Sequence, residues 1–249
     1  SERTVILITG GSRGIGAATA RMAAARGYDV AISFRNEDAA ADAVVASCAE
    51  LGANAIAVRA EMAVEDDIVA LFDTTVDELG PIGVFVNNAG TLHRASRLDA
   101  MTVERFDEVV RVNVVGALVA AREAVRRMST RHGGSGGAIV NVASDAGRVG
   151  SSGETMYAGA KGGVIAFSKS LAREVVKLGI RVNCVCPGPT DTPLLATLPD
   201  NLRAALTKAI PMRRLAVPSE IADAIAFFAS DRSAYCTGQV LSVSGGLTM

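Results

Sequence analysis

Val5-Ile6-Leu7-Ile8-Thr9-Gly10-Gly11-Ser12-Arg13-Gly14-Ile15-Gly16 is a short apolar run that breaks into glycines and resumes as a helical pattern. Four consecutive aliphatic residues read as a strand buried on both faces, so the glycines fall in a strand-to-helix turn. Each glycine has a physical use. Gly10 permits the tight turn, Gly14 lets the backbone approach a pyrophosphate, and Gly16 lets helix and strand pack closely. The helix N-terminus adds free N–H groups and a favourable dipole. Ser12, Arg13 and Ile15 complete the turn and join it as candidate cofactor contacts. A bare connection is the competing reading, and the strand before and helix after weigh against it.

Working outward, apolar runs at 4–9, 29–34, 54–59, 83–87, 137–143, 180–186 and 239–243 read as strands. They alternate with helix-length segments at 14–27, 38–51, 65–79, 102–131, 155–178 and 218–230. Most strands are near-continuous Val/Ile/Ala runs, as expected when helices cover both faces, and right-handed crossovers then give a doubly wound parallel α/β sheet. The segment 102–131 is too long for one uninterrupted helix, and Asn113, a weak helix former near its middle, marks the expected break or kink. Gly133 to Gly137 reads as a loop into the fifth strand, and no repeat appears. One domain over 1–249 is the reading.

Composition sets the outer limits. Of 249 residues, 49% are hydrophobic and 20% charged, with 25 Lys+Arg against 26 Asp+Glu. That excludes a disordered chain and offers no global cation for nucleic acid. Mean hydropathy is +0.31, yet the apolar runs are far shorter than a bilayer span, so the expectation is a soluble, cytoplasmic protein without a membrane partner. Four cysteines do not make a disulfide scaffold in a chain this long. Cys184 and Cys186 share one strand face, and no further ligands complete a metal site; they read as buried free thiols.

Cofactor preference is decided at the tip of the second strand, where an acid suits a ribose 2′-hydroxyl and a base suits a 2′-phosphate. The residues there are Ser33-Phe34-Arg35-Asn36, with Glu37 and Asp38 following. Arg13 and Arg35 would close on a 2′-phosphate from two sides with planar guanidinium donors. NADP(H) is therefore expected over NAD(H), which stays the alternative.

Tyr157 and Lys161 are four residues apart on a predicted helix, which stacks them on one face. Lowering a tyrosine from about 10 toward 7 takes roughly 4 kcal/mol of preferential phenolate stabilisation, which a neighbouring ammonium can help supply. Alone, such a pair is more often an accident of the surface. Ser144, at the end of the fifth strand and hence at the ligand-binding edge of the sheet, changes that balance.

Together these residues resemble the short-chain dehydrogenase/reductase family along essentially the whole chain. Thr9-Gly10-x-x-x-Gly14-x-Gly16 is similar to its cofactor turn and Asn87-Asn88-Ala89-Gly90 to its fourth-strand motif. Asn113, Ser144, Tyr157 and Lys161 are similar to its catalytic tetrad, and Pro187-Gly188 to the segment after its sixth strand. The resemblance implies a single-domain Rossmann fold with a seven-stranded parallel sheet. It implies Tyr157 as general acid/base, Lys161 lowering its pKa and bonding the nicotinamide ribose, and Ser144 orienting the carbonyl oxygen. Asn113 would hold a water that links Lys161 to solvent. Asn87 would line the adenosine side of the cleft, Ala89 and Gly90 would meet the cofactor, and Thr192 would contact the carboxamide. The implied reaction is hydride transfer between the nicotinamide and a carbonyl or secondary alcohol.

Two positions depart from the family pattern. Glu61, beside Met62, stands where an Asp commonly meets the adenine, and Thr190 stands where an aliphatic residue is usual. The Thr190 N–H would still serve the nicotinamide. The substrate wall is expected from Leu92-His93-Arg94, from Asp145 to Glu154, and from a lid over about 190–212. His93, Arg94 and Arg148 are candidates for attracting an anionic substrate, although loop-tip charges are more often merely solvated. The family implies a homotetramer, with the fourth and fifth helices in a bundle and the last strand at a second interface. Within it, the chain looks most like sugar- or cyclic-alcohol-type dehydrogenases and 3-oxoacyl-thioester reductases. A non-catalytic cofactor-binding regulator is the other function class, and the intact Tyr157 and Lys161 speak against it.

Overall fold

A computed structural model describes residues 3–92, 94–193, 195–197 and 199–248. His93, Leu194 and Leu198, placed above in the substrate wall, lie outside the described residues.

Seven parallel strands form one sheet in the order β3-β2-β1-β4-β5-β6-β7. They are β1 (Val5–Ile8), β2 (Asp29–Phe34), β3 (Ala55–Arg59), β4 (Ile82–Asn87), β5 (Gly137–Val142), β6 (Ile180–Pro187) and β7 (Val240–Val243). Every residue of β1 and β2 is buried, which is why both read as unbroken apolar runs. The pleat sends alternate side chains to opposite faces. Ile6 and Ile8 join the layer under α1 (Gly14–Ala25), α2 (Asp38–Glu50) and α9 (Pro218–Ala229). Val5 and Leu7 join Leu71, Phe72, Ala120 and Val175 in the opposite layer. That second layer is covered by α3 (Glu65–Leu79), α5 (Ala117–Met128) and α7 (Thr155–Val175). Strand order reverses between β2-β1 and β4, so a crevice opens at the carboxyl ends of β1 and β4.

The long fourth segment is not broken at Asn113. Instead α4 (Val103–Val110) widens into a π turn over Arg111–Gly116 and continues as α5. A β-carbon at Gly116 would lie 2.0 Å from the Met62 carbonyl oxygen, so the turn packs against the loop after β3 where only glycine fits. The extra residue of a π turn pushes Asn113 inward, and such turns recur at functional sites.

Two elements in the loops are new. A short helix α6 (Ala146–Val149) follows Ser144, and α8 (Asp200–Ala209) lies within the expected lid. The second buries none of its residues and is tied down at its ends: Arg203 pairs with Asp191 at 2.7 Å, and the Met212 N–H donates to the Gly245 carbonyl at 3.1 Å. Among the described residues, no helix is long and apolar enough to cross a membrane.

Candidate active site

The glycine turn takes the shape its sequence requires. Gly10 and Gly14 have φ of 65° and 53°, the left-handed region that glycine occupies without a Cβ clash. A β-carbon at Gly16 would lie 2.2 Å from the Gly10 carbonyl oxygen. Residues outside the motif brace it: the Gly10 N–H donates to Ser33 Oγ at 3.1 Å, and Asn88 Nδ2 donates to the carbonyls of Thr9 and Gly10 at 2.8 and 3.2 Å. Thr9 Oγ1 accepts from the N–H groups of Asn88 and Ala89, both at 3.0 Å, so the β1 and β4 tips are fixed relative to each other. Across the crevice, a β-carbon at Gly14 would come 3.3 Å from Thr192 Cγ2, so the segment after Pro187-Gly188 reaches over the turn. Ser12 and Ile15 are partly buried, Ile15 against the layer beneath α1. This cradle of glycines at a helix N-terminus fits a pyrophosphate.

At the β2 tip, Arg13, Arg35 and Asn36 are exposed. Both arginines already have carboxylate partners: Arg13 pairs with Glu37, and Arg35 Nε lies 2.6 Å from Glu61 Oε2. Glu61 Oε1 accepts from the Ala63 N–H at 3.2 Å. The longer carboxylate is thus the counter-ion of Arg35. Met62 is buried behind it, its sulfur 4.0 Å from Ser33 Oγ.

One expectation needs correcting here. The Asn87 side chain does not line the cleft: it is 5% exposed, and its Nδ2 donates to Ala117 O at 2.9 Å and to Asn141 Oδ1 at 3.0 Å. An amide with both donor protons spent inside the sheet joins β4, β5 and α5. Ala89 and Gly90, just beyond it, lie at the crevice.

The candidate reacting groups gather above β5. Ser144 follows β5 by two residues, and its Oγ accepts from the Ala146 N–H at 3.2 Å, which leaves the hydroxyl proton free to point elsewhere. The Ser144 side chain lies near enough to the Tyr157 phenol to hold its pKa down against burial. Lys161, one turn along α7 and buried, donates to the Val142 carbonyl at 2.8 Å. A β-carbon at Gly90 would meet Asn113 Oδ1 at 2.7 Å and Lys161 Nζ at 3.3 Å, so these three residues converge. Asn113 donates to the carbonyls of Thr91 and Val109 at 2.9 and 3.1 Å. Thr190 is buried, with Oγ1 donating to the Gly188 carbonyl at 3.0 Å.

Electrostatics here differ from the expectation that Lys161 pulls the phenol down. Burial pushes Tyr157 up to about 12, and Ser144 is the neighbour that opposes the rise. Burial also brings Lys161 down to about 8. Its ammonium sits 5.9 Å from the centroid of the Tyr157 ring and is engaged with Val142, so it does not contact the phenol oxygen. Beneath Lys161, Ala143, Val164, Cys184 and Cys186 make a small apolar cluster, and both thiols are free and buried, as their spacing indicated.

Arg148 does not stand free to attract an anion. It binds Asp145 and Thr248, the latter through both its carbonyl and its hydroxyl. Sequence reasoning named Asp145 only as the first residue of a substrate-wall loop and missed its partners. Its partners Ser242 and Thr248 lie 97 and 103 residues away, a relationship without a local signal.

A family model described as enoyl-(acyl carrier protein) reductase matches residues 10–248. The chain is 41% identical to an uncharacterized oxidoreductase of Escherichia coli, covering 97% of this chain and 99% of that one. It is 40% identical to cis-4-hydroxycyclohexanecarboxylate dehydrogenase of Sinomonas cyclohexanicum, covering 98% and 96%. It is 36% identical to a 3-oxoacyl-[acyl-carrier-protein] reductase of Staphylococcus aureus, covering 98% and 97%. Among solved structures, a mutant short-chain dehydrogenase/reductase of Serratia marcescens superposes with a TM-score of 0.92 at 31% identity, covering 99% and 98%. An actinorhodin polyketide ketoreductase variant with NADPH gives 0.92 at 30% identity, covering 99% and 97%.

Proposed function

The chain belongs to the short-chain dehydrogenase/reductase family and is an oxidoreductase of alcohol and carbonyl groups; from that premise we propose that it prefers NADP(H) and that Asn113, Ser144, Tyr157 and Lys161 carry the reaction. The observation that supports the catalytic reading best is the convergence of Asn113 and Lys161 on Gly90, with Tyr157 one turn before Lys161 on α7 and the Ser144 oxygen fixed by the Ala146 N–H.

The glycine turn would hold a nicotinamide dinucleotide, which would supply or accept the hydride when bound. The chain's own residues handle the oxygen and its proton. Ser144, its oxygen held by the Ala146 N–H, presents a hydroxyl proton to the carbonyl oxygen and to Tyr157. A phenol at about 12 is protonated at neutral pH, so Tyr157 stands ready as the acid that neutralises the developing alkoxide. In the oxidative direction it must first lose that proton, and Lys161 supplies the favourable charge once its ammonium turns from Val142 toward the phenol. Asn113, inward on the π turn, orders the polar path behind Lys161. Positioning and electrostatics are the protein's share.

NADP(H) is favoured because the β2 tip carries Arg35 with no acid at the tip itself, and Arg13 faces it from the glycine turn. The ketoreductase neighbour with NADPH agrees. NAD(H) is the second reading, favoured by the pairing of both arginines with Glu37 and Glu61. The substrate is a carbonyl or secondary alcohol; the narrower reading, a 3-oxoacyl thioester, draws on the name of the Staphylococcus relative. Residues 190–212 act as a lid through α8. A homotetramer accords with the apolar surface left on the π turn and α5, at Val115 and Leu118, and beside β7, where Tyr235 is fully exposed and Leu241 stands on the edge strand.

The test is consumption of NADPH and of NADH over 3-oxoacyl thioesters, cyclic keto acids and keto-sugars. Turnover of at least one class with NADPH preferred is expected. Turnover with NADH alone overturns the cofactor assignment, and bound cofactor without turnover of any class favours the regulatory reading.

A further inference from the structure

Directly after Ser144, Asp145 is 4% exposed and carries a carboxylate that reaches three groups from the far end of the chain and from α6. Ser242 Oγ lies 2.9 and 3.0 Å from its two oxygens and shares one proton between them. Thr248 Oγ1 donates to Oδ2 at 2.6 Å, and Arg148 Nη1 donates to Oδ1 at 3.2 Å. Arg148 closes the ring by donating to the carbonyl and hydroxyl of Thr248 at 3.1 and 3.0 Å. A buried carboxylate costs several kcal/mol to desolvate unless its lone pairs are met, so this degree of satisfaction marks a structure whose parts hold each other in one arrangement.

What that arrangement holds is the turn under the site serine. The Asp145 main chain is pinned on both sides: its N–H donates to the Pro187 carbonyl at 3.0 Å, and its carbonyl accepts from the N–H groups of Arg148 and Val149 at 2.9 and 3.1 Å. This closes α6, whose first N–H, that of Ala146, is the donor to Ser144 Oγ. The tail that supplies Thr248 is itself wedged between two site loops. A β-carbon on Gly188 would lie 2.7 Å from Ser244 Cα, and the Gly245 carbonyl accepts from Met212 just past α8.

We propose that Asp145 and Thr248 are positioning residues for the reaction: the C-terminal tail, latched by Thr248 to the Asp145 carboxylate, holds the α6 turn so that the Ala146 N–H fixes Ser144 toward Tyr157. The latch also sets α8 relative to the same serine, since tail, Gly188 and Met212 share contacts. This inference rests on the reading of Ser144 and Tyr157 as the reacting pair. With the latch released, Ser144 no longer holds its hydroxyl steadily toward the phenol. The phenolate loses a donor, and oxidation of an alcohol then requires higher pH.

Thr248→Val removes the hydroxyl and keeps the shape, Thr248→Ser keeps the hydroxyl, and Asp145→Asn removes the charge. In the full-length enzyme, the rising, acid-side limb of the pH profile for alcohol oxidation moves to higher pH in Thr248→Val and Asp145→Asn. Their kcat/KM falls by about tenfold to a hundredfold, the size of a small misplacement of a reacting group. NADPH affinity is unchanged, and Thr248→Ser restores the wild-type profile. Hydrogen exchange of the amides over 145–149, which needs no activity, is faster in the two disabled variants. A lowered melting temperature with the wild-type pH profile would overturn the proposal, because a merely structural latch predicts that result. Unchanged exchange over 145–149 in Thr248→Val also overturns it, whether or not a substrate has been found. A wild-type enzyme that turns over no substrate contradicts the catalytic reading instead, and the exchange result still judges the latch.

Discussion

Asn113 and Thr91 bind each other in both directions: Asn113 Nδ2 donates to the Thr91 carbonyl at 2.9 Å, and Asn113 Oδ1 accepts from the Thr91 N–H at 3.2 Å. The pair ties the π turn to the loop after β4, and the same Oδ1 is what crowds Gly90. A helix that simply broke at Asn113 would leave this amide elsewhere. The widened turn brings it inward to 1% exposure, beside Lys161.

Asn113→Ala therefore strips partners from the Thr91 backbone and from the Val109 carbonyl. Leaving such groups unmet costs about 1–3 kcal/mol. Urea unfolding should show a midpoint lowered accordingly, with turnover reduced more than cofactor affinity. Wild-type turnover in a folded Asn113→Ala variant would remove Asn113 from the site.

Lys161→Met should raise stability near neutral pH while eliminating turnover. The ammonium titrates at about 8 in the fold and at 10.5 when unfolded. Below 8 the folded chain carries the full cost of a buried charge; between 8 and 10.5 the folded lysine is neutral and the cost shrinks, and above 10.5 it is gone. After allowance for the lost bond to Val142, the gain at neutral pH is about 1–3 kcal/mol. Thermal melts from neutral to alkaline pH check it, and a gain that persists undiminished at the alkaline end contradicts the assignment.

At the β2 tip, Glu61→Gln frees Arg35 from its 2.6 Å ion pair. Affinity for NADPH relative to NADH should rise by about tenfold, the scale of one charge-assisted hydrogen bond. Arg35→Asp should shift the ratio the other way. Titration of both variants with both cofactors decides, and a constant ratio refutes the arginine clamp.

Gly16→Ala places a β-carbon against the Gly10 carbonyl oxygen, 2.2 Å away in the unrelaxed structure. The turn must open, and overpacking of this kind costs about 1–3 kcal/mol. A lower melting temperature together with weakened binding of either cofactor is expected, and normal binding would show that the turn does not cradle the dinucleotide.

How far the sequence could be read follows from what each feature depends on. Asp29–Phe34 and Glu65–Leu79 end where the periodicity placed them, because each is bounded by residues that change the pattern abruptly. The glycine turn was legible because its steric demands are local. Asn113 was legible as an irregularity but not as a π turn, since its cause is the approach of Gly116 to Met62, far away in sequence. Helix α6 is one turn long and leaves no periodicity. Asn87 and Asp145 show the other limit: whether a polar side chain faces the crevice or its own scaffold is decided by Asn141 in one case and by Ser242 and Thr248 in the other. The same holds for Lys161, expected to lower the Tyr157 pKa, whose ammonium is engaged with the Val142 carbonyl of the neighbouring strand.

The most direct measurement compares wild-type and Tyr157→Phe enzyme on whichever carbonyl substrate the wild type reduces, with cofactor affinity measured alongside. The account predicts that the phenylalanine variant binds cofactor as the wild type does and loses turnover by about two to four orders of magnitude, the usual worth of a positioned general acid. Near-wild-type turnover in Tyr157→Phe would contradict it, because the phenol would then not be the group that protonates the oxygen.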